Sequence, residues 1–223
     1  MSTELSWDWL GLVSYGTALE QQRERRDQVI AGHESEIVWM LEHQPVVTTG
    51  RRVVADMCSR EALEAEGIEL FKTERGGLAT YHGPGQLTAY AIVDVWKRGM
   101  GAKGAVHAME QGVIDWLATL DVAATRRSGF PGVWIDENKV CAVGMHFKRG
   151  ISMHGIAINL TNDLKGFSMI TPCGITDGGV TTLKKHTKVE VSPEEAARTL
   201  GPILIRNLLN PTCMMTSRSR QAG

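Results

Sequence analysis

Three strand-like segments follow one another between residues 132 and 160. Gly132-Val133-Trp134-Ile135 comes first, then Lys139 to Met145, then Ser152 to Leu160; Asp136-Glu137-Asn138 between the first two is a good hairpin turn. Other strand candidates precede them: the apolar run Glu36 to Glu42, then Val46 to Gly50 beyond His43-Gln44-Pro45, the alternating Ile68 to Thr73, and Leu87 to Val95. Helical spacing marks Tyr15 to Ile30, closed by Gly32, and Ala105 to Leu120. A helix from Ser59 to Gly67 and one from Pro193 to Leu209 carry start signals; the second has Ser192 as cap, Pro193 in the first position and Glu194 and Glu195 in the first turn. Strands cluster in the middle and helices flank them without regular alternation. This predicts an α+β fold, a central sheet with its helices on one side. No internal repeat and no Pro/Gly/Ser-rich linker divides the 223 residues, so one domain is expected over 1–210, with a polar tail over 211–223.

With 24 basic and 25 acidic residues the net charge is −1, which offers no global attraction to nucleic acid or an anionic membrane. The beginning of the chain has no basic stretch followed by an apolar run, and nowhere do 18 uninterrupted apolar residues occur. Cys58, Cys141, Cys173 and Cys213 form no C-x-x-C pair and no zinc-type spacing, so neither a disulfide framework nor a structural metal is expected. The expectation is a cytoplasmic monomer that meets any charged partner through a local patch.

Two loops concentrate reactive residues among glycines. Arg75 to Leu87 packs four glycines and a proline around an Arg, a Tyr and a His, letting backbone N–H groups approach a bound group while Pro84 stiffens the turn that aims His82. The plain alternative is a hairpin with a satisfied histidine. Pro172-Cys173-Gly174-Ile175 sets a thiol between a restrained and a freed backbone position, where a nucleophile belongs. Cys141 alternates with apolar neighbours and reads as a buried hydrophobe; Cys58, just before a helix start, is a weak rival, and Cys213 lies in the tail. A free thiol with a pKa of about 8.5 needs a neighbour that favours its thiolate. His43, His82, His154 and Lys139 are candidates, and these residues alone do not choose among them.

Arg75-Gly76-Gly77-x-x-Thr80-Tyr81-His82-Gly83-Pro84-Gly85-Gln86-Leu87, Pro131-Gly132-Val133-Trp134, Lys139-Val140-x-Ala142-x-Gly144, His154-Gly155-x-Ala157-x-Asn159-Leu160, Asp163-Leu164-x-x-Phe167 and Ile170-x-Pro172-Cys173-Gly174-Ile175 occur in this order. With Leu41 to Pro45 and Thr49-Gly50-Arg51, they resemble the lipoyl(octanoyl) transferases of lipoate biosynthesis, from about Trp7 through Leu200. The resemblance implies a domain of the biotin/lipoate A/B protein ligase type that needs no cofactor and no metal. It implies transfer of octanoyl from octanoyl-acyl carrier protein to a lysine of lipoyl-domain proteins, either 2-oxoacid dehydrogenase subunits or the glycine cleavage H protein. Cys173 would carry the acyl group as a thioester, and Lys139 would lower the pKa of that thiol and later help deprotonate the incoming amine. Arg75, Gly76, Gly77, Leu78, Ala79, Thr80, Tyr81 and His82, with Ala142, Val143, Gly144, Gly155, Ile156 and Ala157, would line the acyl channel. One departure is that the residues after Arg-Gly-Gly are Leu78 and Ala79, where the family often has a polar or charged residue and then an aliphatic one.

Other readings fare worse. An ATP-dependent ligase on the same fold has no need of a nucleophilic cysteine, and neither G-x-G-x-x-G nor G-x-x-x-x-G-K-[ST] is present. A catalytically dead binding module would have lost Cys173 or Lys139. A metal site from His43, His82, His154 and Cys173 matches no zinc pattern. Lys184-Lys185-His186-x-Lys188 and Lys148-Arg149 are candidates for the basic surface that acidic partners need.

Overall fold

The computed structural model describes residues 5–52, 59–170 and 179–210. In chain order the elements are β1 (Ser6–Val13), α1 (Tyr15–Ala31), β2 (Ile37–His43), β3 (Val46–Thr49), α2 (Arg60–Ala65), β4 (Glu69–Lys72), β5 (Ala79–His82) and β6 (Gln86–Ile92). There follow α3 (Ala102–Ala118), β7 (Thr125–Arg127), β8 (Phe130–Ile135), β9 (Asn138–Lys148), β10 (Ile151–Asn159), α4 (Lys165–Ser168), β11 (Gly179–Val180), a 3₁₀ turn (Leu183–Lys185) and α5 (Pro193–Leu209). The large sheet runs β1-β2-β6-β10-β9-β8-β7, with β11 added beside β9, and a small sheet runs β4-β3-β5. The sheets are mixed: β1 with β2, β11 with β9, and β3 with β4 are parallel, and the other pairs antiparallel.

Local chemistry explains the helix limits. The Ser14 hydroxyl caps α1 by accepting from Thr17 N, and the helix stops at Gly32, whose φ of 75° suits a residue without Cβ. In α5, Ser192 and Glu195 exchange bonds in a capping box, and Pro193 loses nothing in the first turn.

All seven residues of β6 are buried, so both faces of the sheet need a cover. Leu87, Ala89 and Ala91 join Val38, Met40, Ile156 and Ile158 against α3 and α5, where Met109, Val113, Trp116, Leu200 and Leu204 fill the core. Tyr90 and Ile92 face the other way, toward Leu41 and Ala18 of α1. Helices therefore flank both sides, which corrects the one-sided arrangement expected from the sequence. The turn after β5 is also no hairpin: β5 pairs with β3 and β6 with β2 and β10, so residues 83–85 carry the chain between sheets. Among the described residues no helix is long and apolar enough to cross a membrane.

Candidate active site

Strand register brings distant segments into rows across the sheet. Gly132, Ala142, Ala157 and Thr88 are successive partners across β8, β9, β10 and β6; two residues further along β9, Gly144, Gly155 and Tyr90 form the next row. Over these rows lies the loop that follows β4. It is clamped from both sides: Gly50 N and Arg51 N donate to Leu78 O and Arg75 O, and Gly76 N donates to Met145 O. A Cβ on Gly50 would sit 2.4 Å from Gly77 O, so the close approach requires glycine there. Arg75 braces the loop from inside, its guanidinium donating to Thr48 O at 2.6 Å, to Thr48 Oγ1 and to Gly76 O.

Between loop and sheet is a cleft with an open mouth. The channel residues expected from the sequence line it, apart from Gly76 and Tyr81: Arg75, Gly77 to Thr80, His82, Ala142 to Gly144 and Gly155 to Ala157. Tyr81 packs edge-on against Phe167, 5.6 Å between ring centres, and is not part of this lining. Gly76 lies against β9 without facing the cleft. Sequence reasoning missed Tyr15, Thr88 and Tyr90 as lining residues, and it weighed His154 as a partner for a thiol or a metal ligand and not as part of the lining. The register of β6 on β10 is what finds Thr88 and Tyr90.

The inner part of the cleft is a buried cluster of rings. His43 Nδ1 lies 2.8 Å from Val13 O, an acceptor only, so the proton is on Nδ1 and Nε2 accepts from the Tyr90 hydroxyl at 2.7 Å. Burial holds the His43 pKa down at about 4 and His154 at about 3. His82 is pushed well down by burial and then by His43; its Nδ1 donates to Gln86 Oε1, because the Gln86 amide nitrogen is already spent on Tyr81 O and Asn159 Oδ1. Burial raises Tyr15 to about 12 and Tyr90 well above the usual phenol range. These five rings are neutral at pH 7. Thr88 Oγ1 and His154 Nε2 are buried there with no hydrogen-bond partner among the described residues.

Lys139 opens β9 beside the first row. It is 5 % exposed; its Nζ donates to Pro131 O at 3.0 Å and lies 4.9 Å from the centre of the Trp134 ring. Its stem crosses Gly132, where φ is 136° and a Cβ would meet Lys139 Cε at 3.1 Å and Cys141 O at 2.5 Å. Gly132 N is held in turn by Glu110 Oε1 of α3 at 2.8 Å, whose other oxygen accepts from Arg126. No local pattern announces Glu110, a carboxylate on the buried stripe of a helix. Cys141 is fully buried, and burial followed by the nearby Glu110 charge pushes its thiol well above the ordinary range, so it is no nucleophile. Cys173, Cys58 and Cys213 lie outside the described residues. After that gap the chain resumes at β11, where Val180 pairs with Lys139 and Thr181 N donates to Lys139 O.

Residues 14–202 match the family model described as the lipoyl protein ligase A/B catalytic domain. The octanoyltransferase of Nitratidesulfovibrio vulgaris is 44% identical over 179 residues, 79% of this chain and 82% of that protein. This chain belongs to that family. Another octanoyltransferase, from Maridesulfovibrio salexigens, is 39% identical over 83% of this chain and 88% of its own length. A crystal structure of lipoate-protein ligase A bound with ATP shares the fold, with a TM-score of 0.70 at 18% identity over 93% of this chain and 86% of that one. The cleft is lined along the sheet by Ala142, Gly144, Gly155 and Ala157, with the neutral rings of Tyr15, His82, Tyr90 and His154 on its inner side. Among the described residues no group of His, Cys, Asp or Glu is arranged to hold a metal.

Proposed function

We propose that the chain moves an octanoyl group from acyl carrier protein to a specific lysine of lipoyl-domain proteins through a thioester on Cys173. The observation that carries the reading is the buried Lys139, fixed by Pro131 O and Trp134 and packed over Gly132, the sheet partner of the cleft residue Ala142, in a chain 44% identical to an octanoyltransferase. Gly179 follows Cys173 by six residues and pairs beside Lys139; that much chain reaches at most about 20 Å, so the tether is compatible with a Cys173–Lys139 pair.

In the first half-reaction the Cys173 thiolate, favoured by the lysine charge, adds to the thioester carbonyl of the donor. The carbon–sulfur bond to the carrier thiol then breaks, and the carrier leaves as a thiol by taking a proton from Lys139, which is left as the neutral amine. The second half needs an uncharged acceptor lysine. Its amine adds to the acyl-enzyme carbonyl and passes a proton to Lys139, and the Cys173 thiolate is expelled as the amide forms. Backbone N–H groups of the glycine-rich rim suit the oxyanion of both intermediates, and the buried walls protect the thioester from water. The chain holds the acyl group, its reacting end and the proton relay with no further cofactor, and we expect a monomer working in the cytoplasm.

The test is transfer to a purified lipoyl domain. Octanoyl-acyl carrier protein without ATP should suffice, and octanoic acid with ATP should not. Acylation only with free acid and ATP would make the chain a ligase.

A further inference from the structure

We propose that His154 is the end wall of the acyl site and sets the accepted chain at eight carbons, an inference that rests on the octanoyl-transfer reading above. The first row, Gly132–Ala142–Ala157–Thr88, carries the Lys139 side chain on Gly132 and so marks the reacting end. From there the lining continues along β9 as far as Gly144 and along β10 as far as His154. His154 is the partner of Met145, three residues along β9 from Ala142, which is about 10 Å at about 3.4 Å per residue. An extended eight-carbon chain has seven carbon–carbon bonds of about 1.5 Å, close to 9 Å end to end in zigzag. It fills that distance, and two further carbons would meet the imidazole.

The ring stands there because the strand is deformed to put it there. Alternation along β10 groups residue 154 with Ile156 and Ile158, which pack into the helical core. Instead, His154 has φ of 61°, a conformation that a residue with a branched ring adopts at a cost, and its imidazole lies edge-on to Tyr90 at the cleft, 6.2 Å between centres. The neighbouring backbone is satisfied by side chains: His154 N donates to Gln22 Oε1 of α1, and the Ser152 hydroxyl accepts from Val93 N and donates to Ala91 O at 2.6 Å. The fully buried Gln22 thus satisfies the backbone N–H of the left-handed residue, while the fully buried Ser152 ties the start of β10 to residues 91 and 93. At the adjacent Gly155 a Cβ would lie 2.1 Å from Ala89 O, so β10 keeps its place on β6 only with glycine beside the wall. The chain meets backbone and methyl groups along its length and a rigid ring at its end.

The experiment is kcat/KM of the full chain for six-, eight-, ten- and twelve-carbon acyl carrier proteins, for the wild type, His154→Gly and His154→Asn. Glycine is at ease at this φ and removes the ring; asparagine tolerates the conformation and shortens the side chain. The wild type should peak at eight carbons, and His154→Gly should raise the ratio of ten- to eight-carbon activity at least tenfold, with His154→Asn in between. An unchanged ratio in natively folded variants overturns the proposal and leaves octanoyl transfer standing; a wild type that uses none of the donors overturns the octanoyl reading itself. Should both variants fail to fold, a crystal structure of the octanoylated wild type decides. The terminal methyl within about 4 Å of the His154 ring supports the wall, and a tail lying elsewhere removes it.

Discussion

The two faces of β6 are made by one strand and do opposite work. Leu87, Ala89 and Ala91 meet only apolar side chains from α3 and α5, whereas Gln86, Thr88 and Tyr90 on the alternate positions join His43, His82 and His154 in a buried polar layer. The helical face stabilises the fold, since apolar area removed from water contributes about 25 cal/mol per Å² and the Trp116 indole N–H there is satisfied by Thr199 Oγ1. The cleft face costs stability: it holds unpartnered atoms on Thr88 and His154 and a left-handed histidine inside a strand.

The difference breaks most sharply at Lys139. Lys139→Ala should reduce acyl transfer by about 10³-fold or more, as expected when a proton-transfer group is lost, while thermal unfolding shifts by only a few degrees; steady-state kinetics beside calorimetry separates the two. On the helical face Trp116→Ala should do the reverse. It should cost about 3–5 kcal/mol and lower the melting temperature by roughly 10 °C, with the specific activity of the folded fraction unchanged. An activity loss at 20 °C larger than the unfolded fraction would mean that the faces are coupled.

Acid should expose the cleft face. His43, His82 and His154 have folded pKa values below the unfolded value of about 6.5, two of them at about 4 and about 3. The unfolded chain therefore binds more protons below pH 6.5, so the stability from burying neutral rings is complete above pH 6.5 and is lost as pH falls from there toward 3. Melting temperatures measured from pH 7.5 to 4 should decline over that window, and less so in His43→Gln. An equal decline in the variant would assign the acid sensitivity to the carboxylates. The smallest effect belongs outside both faces: Lys184, Lys185 and Lys188 are surface charges near the 3₁₀ turn, and changing them to Glu should raise the KM for acyl carrier protein a few-fold at low salt and little at high salt. A KM that does not move excludes this patch from docking.

Much of this contrast was legible in the chain. The capping signals at Ser192–Pro193 placed α5, and the segments at 132–135, 139–145 and 152–160 became β8, β9 and β10 within a few residues. β1 was not legible, because its exposure pattern is irregular and its pairing slips between Trp9 and Leu12, near Gly11 at φ of 70°. Nor was β5, four residues in a glycine-rich loop whose partner is 30 or more residues away. The rim of the cleft could be named from glycine density and family likeness. Its inner wall could not, since Tyr15, Thr88, Tyr90 and His154 meet only through register and through a left-handed residue that no local pattern announces.

The central claim is that the acyl group passes through Cys173, and intact mass spectrometry tests it most directly. Wild type and Cys173→Ser are incubated with octanoyl-acyl carrier protein in the absence of ATP. The account predicts one octanoyl group on the wild type, labile to hydroxylamine and passed to an added lipoyl domain, and none on Cys173→Ser. An adduct of the same stability on both proteins, or full transfer activity in Cys173→Ser, would contradict it.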